Sequence, residues 1–197
     1  MPEKEMSTVA RPAFSTYSLT VCALLTAMSV VLARVLTLIP AETTRISLEA
    51  LPIVLAGLLC GPIPGALVGF AADLIGCLFS PYGYNPIFCV PPILYGLLAG
   101  AVRRYVTDRP ALLRTALAFF PAALLGSVLW QSMALALVYG GEAKEAFFLA
   151  KLVSRGIQFA LTASVDTLIV WLLLRRGALS GVQRHIQTKG GRKHDDP

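Results

Sequence analysis

Residues 50–79 read ALPIVLAGLLCGPIPGALVGFAADLIGCLF, a near-continuous apolar stretch whose sole charge is Asp73. The stretch is too long for one ordinary membrane span, which takes about 20 residues. Gly61-Pro62-Ile63-Pro64-Gly65 breaks it in the middle, as clustered Gly and Pro do at turns. Two short helices, 50–61 and 62–79, joined by a tight turn, are therefore expected. Within them Gly57, Gly61, Gly65 and Gly69 recur at every fourth position, a spacing that lets helix backbones approach closely in a membrane.

The flanking sequence has the same character. Residues 17–39 form an apolar run closed by Pro40, and a polar segment with Glu42, Thr43, Thr44, Arg45, Ser47 and Glu49 follows. Beyond the 50–79 pair, Ser80 to Phe88 is a Gly- and Pro-rich loop that keeps Tyr82, Tyr84 and Phe88. A fourth helix is expected over 89–106, with Pro91 and Pro92 in its first turn and Gly96 and Gly100 again four apart. Helices over 113–139 and 146–174 complete the set. The expectation is an all-α membrane protein, a bundle of six transmembrane helices in one domain over 17–175. Residues 1–16 precede it, and the basic, polar tail 176–197 reads as disordered.

Composition agrees. The 197 residues are 56% hydrophobic and only 14% charged, against about a quarter charged in soluble domains. The net charge of +6 lies in the tails and one loop, a distribution that reads as membrane orientation and not as nucleic-acid binding. With an even number of spans both termini share one side. Lys4, Arg11, Arg103, Arg104, Arg109, Arg114, Arg175, Arg176, Arg184, Lys189, Arg192 and Lys193 then face Arg45, Lys144 and Lys151 across the bilayer. The positive-inside rule places the N- and C-termini in the cytoplasm. The N-terminus lacks the pattern of a cleaved signal peptide, so the first span is expected to stay.

Four ionisable residues fall within the spans: Arg34, Asp73, Arg155 and Asp166. Each costs at least about 2.5–3.5 kcal/mol at a helix centre and needs a partner or water. The helix directions place Arg34, Asp73 and Arg155 in the outer half and Asp166 deeper. The first three suggest an outward-open pocket, with arginines receiving an anion and Asp73 accepting from donors. Snorkelling or a structural ion pair is the other reading. Tyr82, Tyr84, Asn85 and Phe88, with Arg45 nearby, could stack on a planar ligand and bond its edge, or anchor at the headgroup level. Trp130 and Gln131 lie at a similar depth, and Gln158 sits one turn from Arg155. Ala23 and Ala27 make a small-residue pair on the first helix, where a membrane partner could dock.

Cys22, Cys60, Cys77 and Cys89 match no zinc spacing and read as small buried residues. His185 and His194 are both in the tail. No phosphate-binding loop, HExxH or GxSxG occurs, so neither ATP hydrolysis nor intramembrane catalysis is expected, and no metal or cofactor is implied.

Ala23-Leu-Leu-Thr-Ala27, Leu51-Pro52-Ile53-Val54-Leu55-Ala56-Gly57, Gly61-Pro62-Ile63-Pro64-Gly65-Ala66-Leu67-Val68-Gly69, Ala72-Asp73-Leu74 and Tyr95-Gly96-Leu97-Leu98-Ala99-Gly100 together resemble the substrate-binding S component of energy-coupling factor (ECF) vitamin transporters, most closely the folate family. The resemblance covers 17–175. It implies a prokaryotic plasma-membrane protein that captures a vitamin outside and associates with a transmembrane coupling subunit and two cytoplasmic ATPases. It also implies that Ala23 and Ala27 meet the coupling subunit and that loops 42–48 and 80–88 gate the pocket. Folate suits the residues: its glutamate carboxylates match Arg34 or Arg155, and its flat pterin matches the aromatic side chains and Asp73. Pantothenate or another vitamin, a self-sufficient small transporter using Asp73 and Asp166, and a purely structural subunit are the alternatives.

Overall fold

The computed structural model describes residues 16–35, 48–79, 85–107, 111–141, 144–177 and 181–182, without the side chains of Arg34 and Val35. Among these residues every regular element is helical. The elements are α1 (Thr16–Val35), α2 (Ala50–Cys60), α3 (Pro62–Leu78), α4 (Val90–Ala101), α5 (Arg103–Thr107), α6 (Leu112–Ala122), α7 (Gln131–Tyr139) and α8 (Lys144–Arg175). A 3-10 turn, Pro86–Cys89, leads into α4, and a π-helical stretch, Ala123–Trp130, runs directly between α6 and α7. In each of the six expected apolar segments the described residues are largely helical. Three helical runs, starting at Thr16, Leu112 and Lys144, are long and apolar enough to cross a membrane, whereas Ala50–Cys60, Pro62–Leu78 and Pro86–Ala101 are shorter.

Large apolar side chains face outward along the whole molecule: Leu24 on α1, Leu67 on α3, Leu124 before α7 and Val153 on α8 are all exposed. Such a surface suits a lipid solvent. The interior is built around α2, in which every residue from Ala50 to Leu59 is buried. A helix apolar all round belongs inside a larger assembly or a membrane, and α2 has both surroundings. It packs against α1, α3 and α4.

Glycine makes that packing possible. A Cβ placed on Gly57 would lie 2.5 Å from the Gly96 carbonyl oxygen, and one on Gly65 would lie 2.5 Å from the same atom. Added to Gly96 it would overlap the Gly65 carbonyl, on Gly69 the Pro92 carbonyl, and on Gly100 the backbone of Pro62. Three helices therefore touch through backbone. The turn between α2 and α3 is a single residue, Gly61, at φ 111°, a conformation open to glycine. Its N–H donates to the Gly57 carbonyl at 2.9 Å, and Pro62 opens α3, where no amide donor is required.

Two features differ from the expected helices. The fourth breaks at Val102, so its last turn is the separate α5. The fifth is interrupted by the π stretch just past Pro121, an internal proline that supplies no amide proton to its helix. The close packing predicts that Gly96→Ala lowers the thermal unfolding midpoint in detergent, by overpacking worth about 1–3 kcal/mol. Gly156→Ala, where a Cβ meets nothing within 4 Å, leaves the midpoint unchanged or raises it.

Candidate functional site

A cavity of about 290 Å³ opens beside the first turn of α2. α1 contributes Ser29, Val30 and Ala33; the start of α2 contributes Glu49, Ala50 and Ile53; α3 contributes Ala72, Asp73, Gly76 and Cys77. Phe88 from the 3-10 turn, Pro92 and Tyr95 from α4, Ser127 from the π stretch, Gln131 from α7, and Phe159 and Thr162 from α8 close the ring. A few polar groups set among apolar and aromatic ones are the usual lining of a small-molecule site, and the volume lies near the lower end of the range for such sites.

The polar lining is partly satisfied from within. Ser29 Oγ donates to the Glu49 carbonyl at 2.8 Å, tying the middle of α1 to the start of α2. Ser127 Oγ and Tyr95 Oη are 3.4 Å apart. Thr162 Oγ1 donates to the Gln158 carbonyl at 3.0 Å, so that its polar end is engaged by its own helix. Asp73 differs. The Cys89 thiol is a hydrogen-bond neighbour of its carboxyl group, yet Oδ2 is buried and has no partner. A buried acceptor left unmade costs about 1–3 kcal/mol, and the residue that carries it lines the cavity. Behind the cavity Asp166 is 1% exposed. Its Oδ1 also lacks a partner, and Glu49 and Tyr95 are within electrostatic range of its carboxyl group.

Of the residues expected to bind substrate, the structure gathers Asp73, Phe88 and Gln131 on this cavity. Arg155 is half-buried and stands one turn away, with its guanidinium 5.9 Å from the ring centre of Phe159, which does line it. Gln158, beside it, gives its carbonyl to Thr162. Asn85 caps the 3-10 turn, its Oδ1 accepting from the Ile87 amide at 3.2 Å. Trp130 lies off the cavity: its Nε1 donates to the Ile87 carbonyl at 2.8 Å, and its ring borders an apolar groove between α7 and α8. The Arg34 side chain, Arg45, Tyr82 and Tyr84 lie outside the described residues.

Ser29, Glu49, Tyr95, Ser127, Phe159 and Thr162 also line the cavity, and the sequence alone does not mark them as binding candidates. Ser29, Ser127 and Thr162 carry little signal, since hydroxyl residues recur along the same helical runs, as at Thr26, Ser132 and Thr167. Ala23 and Ala27 are both exposed on α1, and Ala23 borders a shallow groove with Pro64, Leu67 and Ala71 of α3. Among the described residues no cluster of three or more His, Cys, Asp or Glu could hold a metal ion.

The profile of the family described as ECF-type riboflavin transporter, S component, matches residues 13–175. No curated protein matches the chain. Among solved structures, FolT bound with folic acid is similar, with a TM-score of 0.61 and 25% identity, covering 77% of this chain and 91% of that one.

Asp166 invites a stability test. Replacing a buried carboxyl that has an unpartnered oxygen and lies within range of a second carboxyl removes desolvation and like-charge cost together. Asp166→Asn is expected to hold or raise the unfolding midpoint, by about 1 kcal/mol, in thermal melts of the detergent-purified protein; a fall of that size would show that the carboxylate itself is needed.

Proposed function

The chain belongs to the ECF-type riboflavin transporter S component family, and on that premise we propose that it is the vitamin-binding subunit of an ECF importer, with folate as its substrate. The observation that carries the substrate choice is Asp73, a cavity-lining residue whose Oδ2 is buried and unpartnered. A pterin presents an exocyclic amine and a ring N–H side by side, and a carboxylate accepts both at once in charge-assisted hydrogen bonds. Phe88 and Phe159 supply ring faces for stacking on a bicyclic head. Arg155, held over Phe159, offers a cation to the glutamate tail, and Arg34 and Arg45 are proposed to join it. Tyr82 and Tyr84 are proposed contacts from the loop after α3. The folic acid held by the structurally similar FolT supports the same choice.

Riboflavin is the second reading, and the family profile favours it. Its pyrimidine edge flanks one N–H with two carbonyls, so a carboxylate beside it meets an acceptor as well as a donor. On chemical grounds Asp73 suits the pterin better.

In the proposed mechanism six helices span a prokaryotic plasma membrane with both termini in the cytoplasm. The cavity takes the vitamin from outside, and a transmembrane coupling subunit with two ATPases drives its delivery inward. The chain itself makes and breaks no covalent bond. Ala23 and Ala27, exposed on α1 beside Leu24 and Met28, are the proposed contact with the coupling subunit.

Titration of the detergent-purified chain with folate and with riboflavin tests the substrate. Folate is expected to bind tightly and riboflavin weakly. Asp73→Asn, which trades one acceptor oxygen for a donor, is expected to weaken folate by about 10- to 100-fold, the loss of a charged hydrogen bond, and to strengthen riboflavin. Tight binding of riboflavin alone would keep the family and overturn the substrate. Ala23→Leu is expected to leave vitamin affinity unchanged while abolishing uptake by cells that carry the coupling subunits. Loss of affinity in that variant would remove the docking role.

A further inference from the structure

The 3-10 turn Pro86–Cys89 is pinned from two directions. Within the turn, Asn85 Oδ1 accepts from the Ile87 amide at 3.2 Å. From across the bundle, Trp130 Nε1 donates to the Ile87 carbonyl at 2.8 Å, a bond that joins residues 43 positions apart. Ile87 thus has its amide and its carbonyl both engaged by side chains. The next residue, Phe88, lines the cavity, and so does Gln131, the residue after Trp130. Cys89, which ends the turn, is buried at 3% exposure and neighbours the Asp73 carboxyl group.

Trp130 is fitted for this role by its two halves. Its ring borders the apolar groove with Leu129, Met133 and Phe148, while its one polar atom reaches the turn, the division of labour expected of a half-buried tryptophan. It also ends the π stretch, where the Gln131 amide donates to the Gly126 carbonyl five residues back. Short π segments recur at functional sites. Here the segment delivers Ser127 and Gln131 to the cavity and Trp130 to the turn beside it.

We infer that Trp130 is a positioning residue: its indole N–H holds the Pro86–Cys89 turn as a wall of the cavity, keeping Phe88 in place and Cys89 sealed, and so sets how fast a ligand leaves. The part concerning ligand release rests on the cavity being the vitamin site proposed above; the part concerning the turn does not.

The test uses the full chain in detergent and two variants, Trp130→Phe, which keeps a ring and loses the donor, and Asn85→Ala, which unpins the other side of the turn. The first readout is the rate of alkylation of Cys89 by N-ethylmaleimide, followed by peptide mass spectrometry with Cys22 and Cys60 as internal references. Both variants should raise the Cys89 rate about fivefold, the factor for a hydrogen bond of about 1 kcal/mol net, with the reference rates unchanged and the thermal midpoint lowered by no more than that bond contributes. The second readout is release of pre-bound folate, or of riboflavin if that is what binds, and it should accelerate by a similar factor. An unchanged Cys89 rate in Trp130→Phe overturns the inference. A faster Cys89 reaction with unchanged release overturns the role toward ligand. If the wild-type chain binds neither vitamin, the proposed function fails, and Cys89 alone decides whether Trp130 holds the turn.

Discussion

Everything in this bundle depends on three helices meeting through their backbones. In lipid, apolar side chains gain little by leaving one hydrocarbon environment for another, so close van der Waals contact must replace the hydrophobic effect as the force between helices. Gly57, Gly65 and Gly96 supply it, because each presents a bare Cα where a side chain would collide with a neighbouring carbonyl. The closeness of α2, α3 and α4 then leaves room for α1 and α8 to complete the enclosure of α2. A bulkier residue at any of the three positions would push those helices apart.

The cavity follows from the length of α2. With 11 residues it is about 16 Å long, roughly half the thickness of a bilayer's hydrocarbon core. The helices around it continue past its N-terminal end and line a space that it does not fill. Small polar side chains from four of the helical runs meet there. The 3-10 turn closes one side, fastened to the π stretch by Trp130. In a medium this apolar, a polar atom without a partner is costly. Asp73 and Asp166 each keep a buried oxygen without a partner, and of the two only Asp73 lines the cavity.

The helices were legible in the sequence because apolar runs and Gly-Pro breaks act locally: the turn at Gly61 is where the GPIPG cluster puts it, and α4 begins with its two prolines. The boundary at Val102 and the π stretch were not, since both depend on how the chain packs. Asp73, Phe88 and Gln131, which line the cavity, could be picked out as candidates because a charge, an aromatic loop residue and an amide stand out in apolar surroundings. Ser29, Ser127 and Thr162 were harder to pick out because hydroxyl side chains are cheap to satisfy within a helix, as Thr162 does with Gln158. Trp130 shows the limit from the other side. Its residue type and depth suited a ligand contact, but only the three-dimensional structure brings Ile87, 43 residues away, within reach of its indole.

The short α2 also shapes the electric field. When water fills the cavity, the dry path through this part of the bundle is little longer than α2 itself, so a membrane potential falls across about 16 Å in place of the full hydrocarbon thickness. A unit charge that crosses the whole potential exchanges about 2.3 kcal/mol per 100 mV. Glu49 precedes the first residue of α2, and Asp166 lies within electrostatic range of it. The Glu49 carboxyl group, on the cavity lining, would then stand at the wet end of that path.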